Sequence, residues 1–175
     1  MFSKLFITAA LVALALAVPS PAREVEVTVE NGFALLNTHV TTQGWTVTYW
    51  GPNSTETAEV EHPLERRQCG SRIIDCHTSN IPTVLATQNL LFCLQNSGGS
   101  QVPNAPRSVC LTSNGQRACA SWSVDVGTVT VVWLHNAARA AFDQCVNNGR
   151  SGRVRPVMLG SRCTSQCLSD RPDGC

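Results

Sequence analysis

The sequence predicts an α+β protein: a disulfide-stabilised antiparallel sheet with two helices on one face, in the order β-α-β-β-α-β, preceded by a β-like N-terminal segment. Three observations predict this fold. All nine cysteines lie at or after Cys69. Two apolar stripes at helical spacing occur in the same region. The hairpin signal Asn114-Gly115 stands between those two stripes.

Residues 1–17 have the pattern of a secretory signal peptide. Lys4 gives a positive start, residues 5–17 are continuously apolar, and residues 15–17 (ALA) form a cleavage site, with a later cut at Ala22 left open. The apolar run is too short to cross about 30 Å of hydrocarbon, which takes roughly 20 residues. We therefore expect a secreted, extracellular product.

Residues 18–67 form an acidic segment without cysteine, which is either a pro-segment or an N-terminal β extension. Residues 23–67 carry a net charge of −4, and residues 68–175 carry +4. Apolar and polar residues alternate over 24–30 and again over 44–51, which predicts half-buried strands. Asn31-Gly32 is a turn signal, but the residues after it do not clearly form a paired strand. Whether these strands join the main sheet stays open.

The dibasic pair Arg66-Arg67 stands where the acidic segment meets the cysteine-rich domain, residues 68–175. Secretory-pathway proteases of the kexin type cut after such pairs, so the sequence predicts processing here. The alternative is an ordinary pair of surface arginines in a linker. Asn53 begins the N-x-S/T sequon of residues 53–55 and follows Gly51-Pro52, which predicts an exposed, glycosylated turn.

The first half of the cysteine-rich domain begins with a short strand over residues 70–76. Asn80 is the predicted N-cap of a helix that has Pro82 in its first turn and runs to about Asn96. Strands over 107–112 and 116–124 form a hairpin around Asn114-Gly115. The residues predicted to be buried by the helix are Leu85, Ala86, Leu90, Phe92 and Cys93.

The second half begins with a helix predicted from about Thr128 to Asn147, with Gly149 as its C-cap. Residues 129–133 are largely β-branched, so a strand there stays an alternative. The last strand is predicted over 153–159, and residues 160–175 form a tail held by its cysteines. Trp122 and Trp133 are predicted core residues rather than sugar platforms. The apolar stripe of the helix is Val131, Leu134, Ala138, Ala141 and Cys145.

Secretion predicts that the cysteines form disulfides. Nine is an odd number, so four bridges leave one thiol, either buried or paired between chains; the sequence does not select a pairing. Cys163 and Cys167 have a loose metal-ligand spacing, but no C-x-x-C or H-x-x-x-H accompanies it, so neither metal nor cofactor is expected. The disulfide candidates are Cys69, Cys76, Cys93, Cys110, Cys119, Cys145, Cys163, Cys167 and Cys175.

Five segments resemble the small secreted fungal proteins of the WD-like family: residues 67–70 (RQCG), 106–110 (PRSVC), 119–122 (CASW), 148–152 (NGRSG) and 163–175 (CTSQCLSDRPDGC). The resemblance implies fungal origin, secretion and disulfides, and it gives no indication of mechanism. In the family pattern a Cys-Cys pair precedes Ser-Trp, whereas Ala118 stands at the first position here; a lost partner there would explain the odd count. The element order is also similar to the killer-toxin-like α/β sandwiches of fungi and their viruses.

Catalytic signatures are weak. No G-x-S-x-G is present, and any carboxylate pair in residues 68–175 must come from five Asp, because that region has no Glu. His77 and His135 are its two histidines, and a ribonuclease-like site requires them to converge. We expect a non-enzymatic protein and name no catalytic residue; a small secreted hydrolase or ribonuclease is the second alternative.

Four arginines around the last strand, Arg150, Arg153, Arg155 and Arg162, form the candidate anion-binding group. The alternative is a solvated edge that prevents aggregation. The expected function is toxin- or effector-like, acting on the cell wall, the membrane surface or a membrane protein of another cell. A wall-associated structural role is the first alternative. Nucleic acid is not an expected partner, because a net charge of +4 is weak and secretion separates the two.

Overall fold

The structure, a computed structural model, describes residues 28–53, 69–102 and 107–175. The predicted signal peptide and the Arg66-Arg67 pair lie outside these residues. Within them no helix is long and apolar enough to cross a membrane. The strands are β1 (Val29–Glu30), β2 (Phe33–Val40), β3 (Thr46–Pro52), β4 (Ile73–His77), β5 (Gln101–Val102), β6 (Ser108–Ser113), β7 (Gln116–Trp122), β8 (Val129–Thr130), β9 (Ser151–Leu159) and β10 (Arg162–Ser169); the helices are α1 (Val84–Asn96) and α2 (Trp133–Gln144).

Eight strands form one antiparallel sheet in the order β1-β2-β3-β6-β7-β10-β9-β4, and β5 pairs separately with β8. Helix α1 packs on β6 and β7, α2 packs on β9 and β10, and the helices pack on each other. A continuous apolar core fills the space between helices and sheet. The predicted fold class, a disulfide-stabilised antiparallel sheet with two helices, is confirmed.

The N-terminal strands are part of the main sheet. Strand β3 lies between β2 and β6, with register from Thr46 opposite Thr112 to Trp50 opposite Ser108. Asn31-Gly32, both at positive φ, turns the chain from β1 into β2, a long strand that the sequence did not clearly predict. The Arg117 guanidinium binds the Glu30 carboxylate with two N–O distances of 2.6 and 2.5 Å.

The prediction of a C-terminal tail over residues 160–175 is wrong for residues 162–169, which form β10 in the middle of the sheet. The polar composition of this strand concealed it. Gln166 is 1% exposed, and its amide Nε2 donates a 2.8 Å hydrogen bond to the carbonyl oxygen of Leu134 in α2. That bond offsets part of the desolvation cost that otherwise keeps glutamine out of cores.

Helix α1 begins later than predicted, and its buried face differs from the predicted one. Thr83, not Asn80, is the N-cap: its side chain accepts a hydrogen bond from the Ala86 amide at 3.3 Å. Asn80 instead adopts a left-handed turn, with φ of 51°. Leu85 and Phe92 are exposed rather than buried, Cys93 is half-buried, and the core face is Ala86, Thr87, Leu90, Leu91 and Leu94.

Helix α2 begins at Trp133, and the β-branched stretch before it forms β8, as the alternative allowed. The predicted stripe Val131, Leu134, Ala138, Ala141 and Cys145 is buried throughout. Gly149, at φ of 67°, caps the short 3₁₀ helix Val146–Asn148. Trp122 is in the core as predicted, whereas Trp133 is 47% exposed because it lies in the first turn of the helix, off the buried stripe.

We predict that a methyl group at Gly152 destabilises the fold. A Cβ there lies 2.9 Å from Ala141 Cβ and 3.1 Å from Cys145 Sγ, so β9 and α2 must move apart. Gly152→Ala should lower the free energy of unfolding by about 1–3 kcal/mol in denaturant titration. Gly99→Ala, whose Cβ meets nothing within 4 Å, is the matched control. Equal effects of the two substitutions would contradict this packing.

We also predict that a cut after Arg67 does not release residues 28–53. Strand β3 is hydrogen-bonded on both edges, and no cysteine precedes Cys69, so the two pieces stay together without a covalent link. Size exclusion at neutral pH should give one species that separates into two chains in guanidinium. Elution of the fragment 68–175 alone under native conditions would contradict the prediction.

Candidate functional site

Four disulfides use eight of the nine cysteines: Cys69–Cys163, Cys76–Cys145, Cys110–Cys119 and Cys167–Cys175. Cys93 is the free thiol, half-buried on α1, and burial raises its pKa, so it is protonated at neutral pH. Cys163 and Cys167 belong to different bridges. Among the described residues no cluster of His, Cys, Asp and Glu has metal-site geometry.

Ala118 is completely buried on the helix side of β7. Its neighbour Cys119 points to the opposite face and bonds to Cys110. A cysteine at position 118 therefore belongs to the same side of the sheet as Cys93. That Ala118 replaced the partner of the ninth cysteine stays a prediction.

The structure brings together two of the four candidate arginines. Arg153 and Arg155 lie on one face of β9, and both contact Asp75 on β4, with N–O distances of 3.5 and 2.8 Å. Arg162 donates a 2.8 Å hydrogen bond to the carbonyl oxygen of Asp125. Arg150 precedes β9 and Arg162 pairs with the last residue of β9, so roughly 25–30 Å of strand separates them.

The two histidines of the cysteine-rich domain lie on opposite faces of the sheet. Cys76 points toward α2, because it bonds to Cys145, and His77 is the next residue along β4. Alternate side chains of a strand point to opposite faces, so His77 faces away from the helices. His135 lies in the first turn of α2. The two do not converge into a ribonuclease-like pair.

Asn53 directly follows β3, and its backbone N–H donates to the carbonyl oxygen of Gly32 at 3.0 Å. The residue is half-buried. The other two residues of its sequon lie outside the described residues, so glycosylation stays a prediction.

A cavity of about 450 Å³ with both polar and apolar lining opens on the helix-free face of the sheet, and we call it the sheet-face pocket. Its volume falls within the range of small-molecule sites. The floor is formed by strands β7, β9 and β10, and one wall is the C-terminal loop that Cys167–Cys175 closes. The lining residues are Phe33, His77, Arg107, Ser121, Trp122, Ser123, Arg153, Ser165, Cys167, Pro172, Asp173, Gly174 and Cys175.

The loop wall is held against the sheet by specific contacts. Asn80 Nδ2 donates a 3.0 Å hydrogen bond to the main-chain oxygen of Cys175. Gly174 has a φ of 117°, a conformation that side chains rarely adopt, and a Cβ there would stand 4.0 Å from Ser121 Oγ. Asp173 Oδ1 lies 3.0 Å from Nε of Arg171. These contacts place acceptor oxygens on one side of the pocket.

Two arginines bring hydrogen-bond donors to the pocket. Arg107 is fixed by hydrogen bonds from its guanidinium to the carbonyl oxygens of Trp122 and Ser123. Arg153 reaches the pocket from β9 while its terminal nitrogen contacts Asp75. The charged residues that line the pocket therefore include two arginines and one aspartate.

Four pocket-lining residues have a buried side-chain polar atom without a hydrogen-bond partner in the part of the chain that the structure describes: His77 Nε2, Ser121 Oγ, Arg153 Nε and Asp173 Oδ1. Ser121 is 3% exposed. An unsatisfied buried polar group costs about 1–3 kcal/mol, so these atoms favour a partner such as ordered water or a bound ligand. Because neither Ser121 Oγ nor His77 Nε2 has a partner, no hydrogen bond joins them as nucleophile and base.

The sequence analysis missed Arg107, Ser121, Ser165 and Asp173 as pocket residues. The signal that was present is the two-residue period: Ser121 on β7 and Ser165 on β10 alternate with apolar or buried neighbours that face the helices. The position of Asp173 follows from the Cys167–Cys175 bridge, which the sequence did not select.

Two further cavities open on the described surface. One of about 330 Å³ lies between α1 and the β2–β3 hairpin and is lined by residues that include Cys93 and Tyr49. Burial raises the pKa of Tyr49. The other, of about 510 Å³, is a shallow groove beside the exposed side chains of Trp133 and Met158. Neither holds the buried unpartnered polar atoms that mark the sheet-face pocket.

The Asp75 cluster beside the pocket gives a pH prediction. The hydrogen bond from Arg155 is the largest effect and lowers the pKa of Asp75 below its ordinary 3.8. Desolvation is the next largest and opposes it, and the charges of Arg155 and Arg153 add to the lowering. Its stabilising contribution is therefore complete well above pH 3.8 and is lost as the pH falls through the lowered pKa.

We expect the difference in free energy of unfolding between the wild type and Asp75→Asn, measured by denaturant titration, to shrink steadily as the pH falls below the ordinary pKa of 3.8. Asp143→Asn, which removes an exposed ion pair with Arg139 on α2, controls for loss of a carboxylate. A difference that stays constant with pH would contradict the prediction.

Comparison with known proteins gives one match. Searches of curated proteins and of solved structures found nothing similar to this chain. The similarity to killer-toxin-like sandwiches therefore stays a prediction. A family model described as "Fungal WD-like" matches residues 32–175, which include β2 and β3 as well as the whole cysteine-rich region. The chain belongs to the fungal WD-like family.

Proposed function

We propose that this protein is secreted, is not an enzyme, and acts outside the cell in the manner of a toxin or effector, binding its target through the sheet-face pocket. The observation that carries the proposal is this pocket, with charged and unpartnered polar groups on a rigid sheet. Four disulfides support the extracellular location, because such bonds persist in oxidising surroundings.

Rigidity favours binding in this arrangement. The floor of the pocket consists of three hydrogen-bonded strands, and two disulfides, Cys167–Cys175 and Cys69–Cys163, anchor β10 to the adjoining segments. A site on such a scaffold loses little conformational entropy when a ligand enters. The separation of His77 from His135 and the missing Ser121–His77 hydrogen bond support a binding role over hydrolysis.

The proposal predicts that the protein accumulates in the culture medium of an expressing fungus, with its N-terminus between residues 18 and 23. Intact mass before and after reduction should differ by eight hydrogens, because four bridges open. Added to a panel of fungal and plant cells, the native protein should slow the growth of at least one. The same protein, reduced and alkylated, is the matched control.

Retention of the protein inside the producing cells, or equal growth with native and reduced protein across the panel, would contradict the proposal. A wall-associated structural role is the second candidate, favoured by the mixed charge of the pocket. It predicts that most of the secreted protein stays on the producing wall.

The enzyme alternative predicts a measurable hydrolase or ribonuclease activity that His77→Ala abolishes. His135→Ala is the matched substitution on the opposite face of the sheet. The binding proposal expects that no such activity is detected.

A further inference from the structure

We propose that the sheet-face pocket binds a neutral, polyhydroxylated ligand, namely a segment of an uncharged polysaccharide. This inference rests on the proposed function, because it names the ligand class of the same site. The pocket is lined by residues of both charge signs, two arginines and one aspartate.

The lining is unsuited to a simple anion. Arg107 and Arg153 would attract one, but the carboxylate residue Asp173 lines the same cavity and would repel it. Arg153 is also already partnered by Asp75 at 3.5 Å. A simple cation meets the converse difficulty, because two guanidinium groups face it.

A ligand with hydroxyl groups satisfies both kinds of wall. Each hydroxyl donates one hydrogen bond and accepts up to two, so one sugar ring can accept from guanidinium groups and donate to the Asp173 carboxylate. Hydrogen bonds to charged groups are stronger than neutral ones and do not require a charged ligand. Serine hydroxyls at positions 121, 123 and 165 add groups of the same dual character.

The apolar part of the pocket fits the rest of a sugar ring. Phe33 and Pro172 line the cavity beside these polar groups. The C–H faces of a pyranose pack against such surfaces while its hydroxyls reach the polar walls. His77, Ser121 and Arg153 line the same cavity, and each has a buried polar atom that no group of the described protein satisfies.

The experiment is isothermal titration of the whole secreted protein with three neutral oligosaccharides, laminarihexaose, chitohexaose and mannohexaose. Inorganic phosphate and hexagalacturonate are the anionic comparisons. We expect saturable binding of at least one neutral oligosaccharide. Its affinity should be the same at low and high salt, because salt screens only charge–charge attraction.

Variants locate the site. Arg153→Gln removes a charged donor and should weaken binding about tenfold or more, as expected for loss of a hydrogen bond to a charged group. Ser165→Gln extends a side chain into the cavity and should weaken binding because it occupies space that the ligand needs. Arg150→Gln makes the same chemical change outside the pocket and should leave the affinity unchanged. Circular dichroism and thermal unfolding confirm that each variant is folded.

Three results would overturn the inference: no binding of any neutral oligosaccharide at millimolar concentration, binding of the anionic probes alone, or binding that Trp133→Ala abolishes and the pocket variants do not. The last result would move the site to the groove beside α2. Growth inhibition without saccharide binding would leave the proposed function standing and remove only the ligand class.

Discussion

The pairing of β10 with both β7 and β9 is the interaction on which the rest of the structure depends. Strand β10 joins the five strands β1, β2, β3, β6 and β7 to the pair β9 and β4. Without it the two helices lie over separate sheets, and the core between them is split. Two disulfides start from this strand, and the longer, Cys69–Cys163, spans 94 residues. Closing a loop of that length stabilises the folded state by about 4–5 kcal/mol in the chain-entropy description.

The same strand separates two chemically different surfaces. Its residues Thr164, Gln166 and Leu168 face the helices, and Leu168 belongs to the apolar core. Ser165 and Cys167 face the opposite way and form part of the sheet-face pocket. Apolar packing against the helices buries one face of the sheet, so the proposed ligand binds on the helix-free face. There the C-terminal loop and the N-terminal strands form the remaining walls of the pocket.

Much of the fold follows from sequence periodicity, and the exceptions have physical causes. The second helix was predicted correctly in its buried stripe, because small and apolar residues recur at three and four positions. Strand β10 was missed because a buried glutamine and several hydroxyls imitate a loop, and only a tertiary hydrogen bond to Leu134 makes burial of Gln166 tolerable. Phe92 was misplaced because the buried face of α1 is centred on Leu90 and Leu94, and at 3.6 residues per turn Phe92 lies on the opposite side.

The pocket was less predictable than the fold, because it assembles residues from distant parts of the chain. Phe33, His77 and Asp173 meet only after the N-terminal strands and the C-terminal loop have reached the sheet. The arginine-rich strand was visible in the sequence, but its neutralisation by Asp75 depends on the register of β4 against β9. The charge of one strand was therefore a poor guide to the charge of the site.

Amide hydrogen exchange of the intact protein, read on peptides from residues 160–169, tests the place of β10 most directly. An interior strand with partners on both sides exchanges only through large-scale unfolding. We predict that these amides are among the slowest in the protein, together with those of β7. Exchange as fast as in a disulfide-tethered tail would contradict both the single sheet and the pocket that it supports.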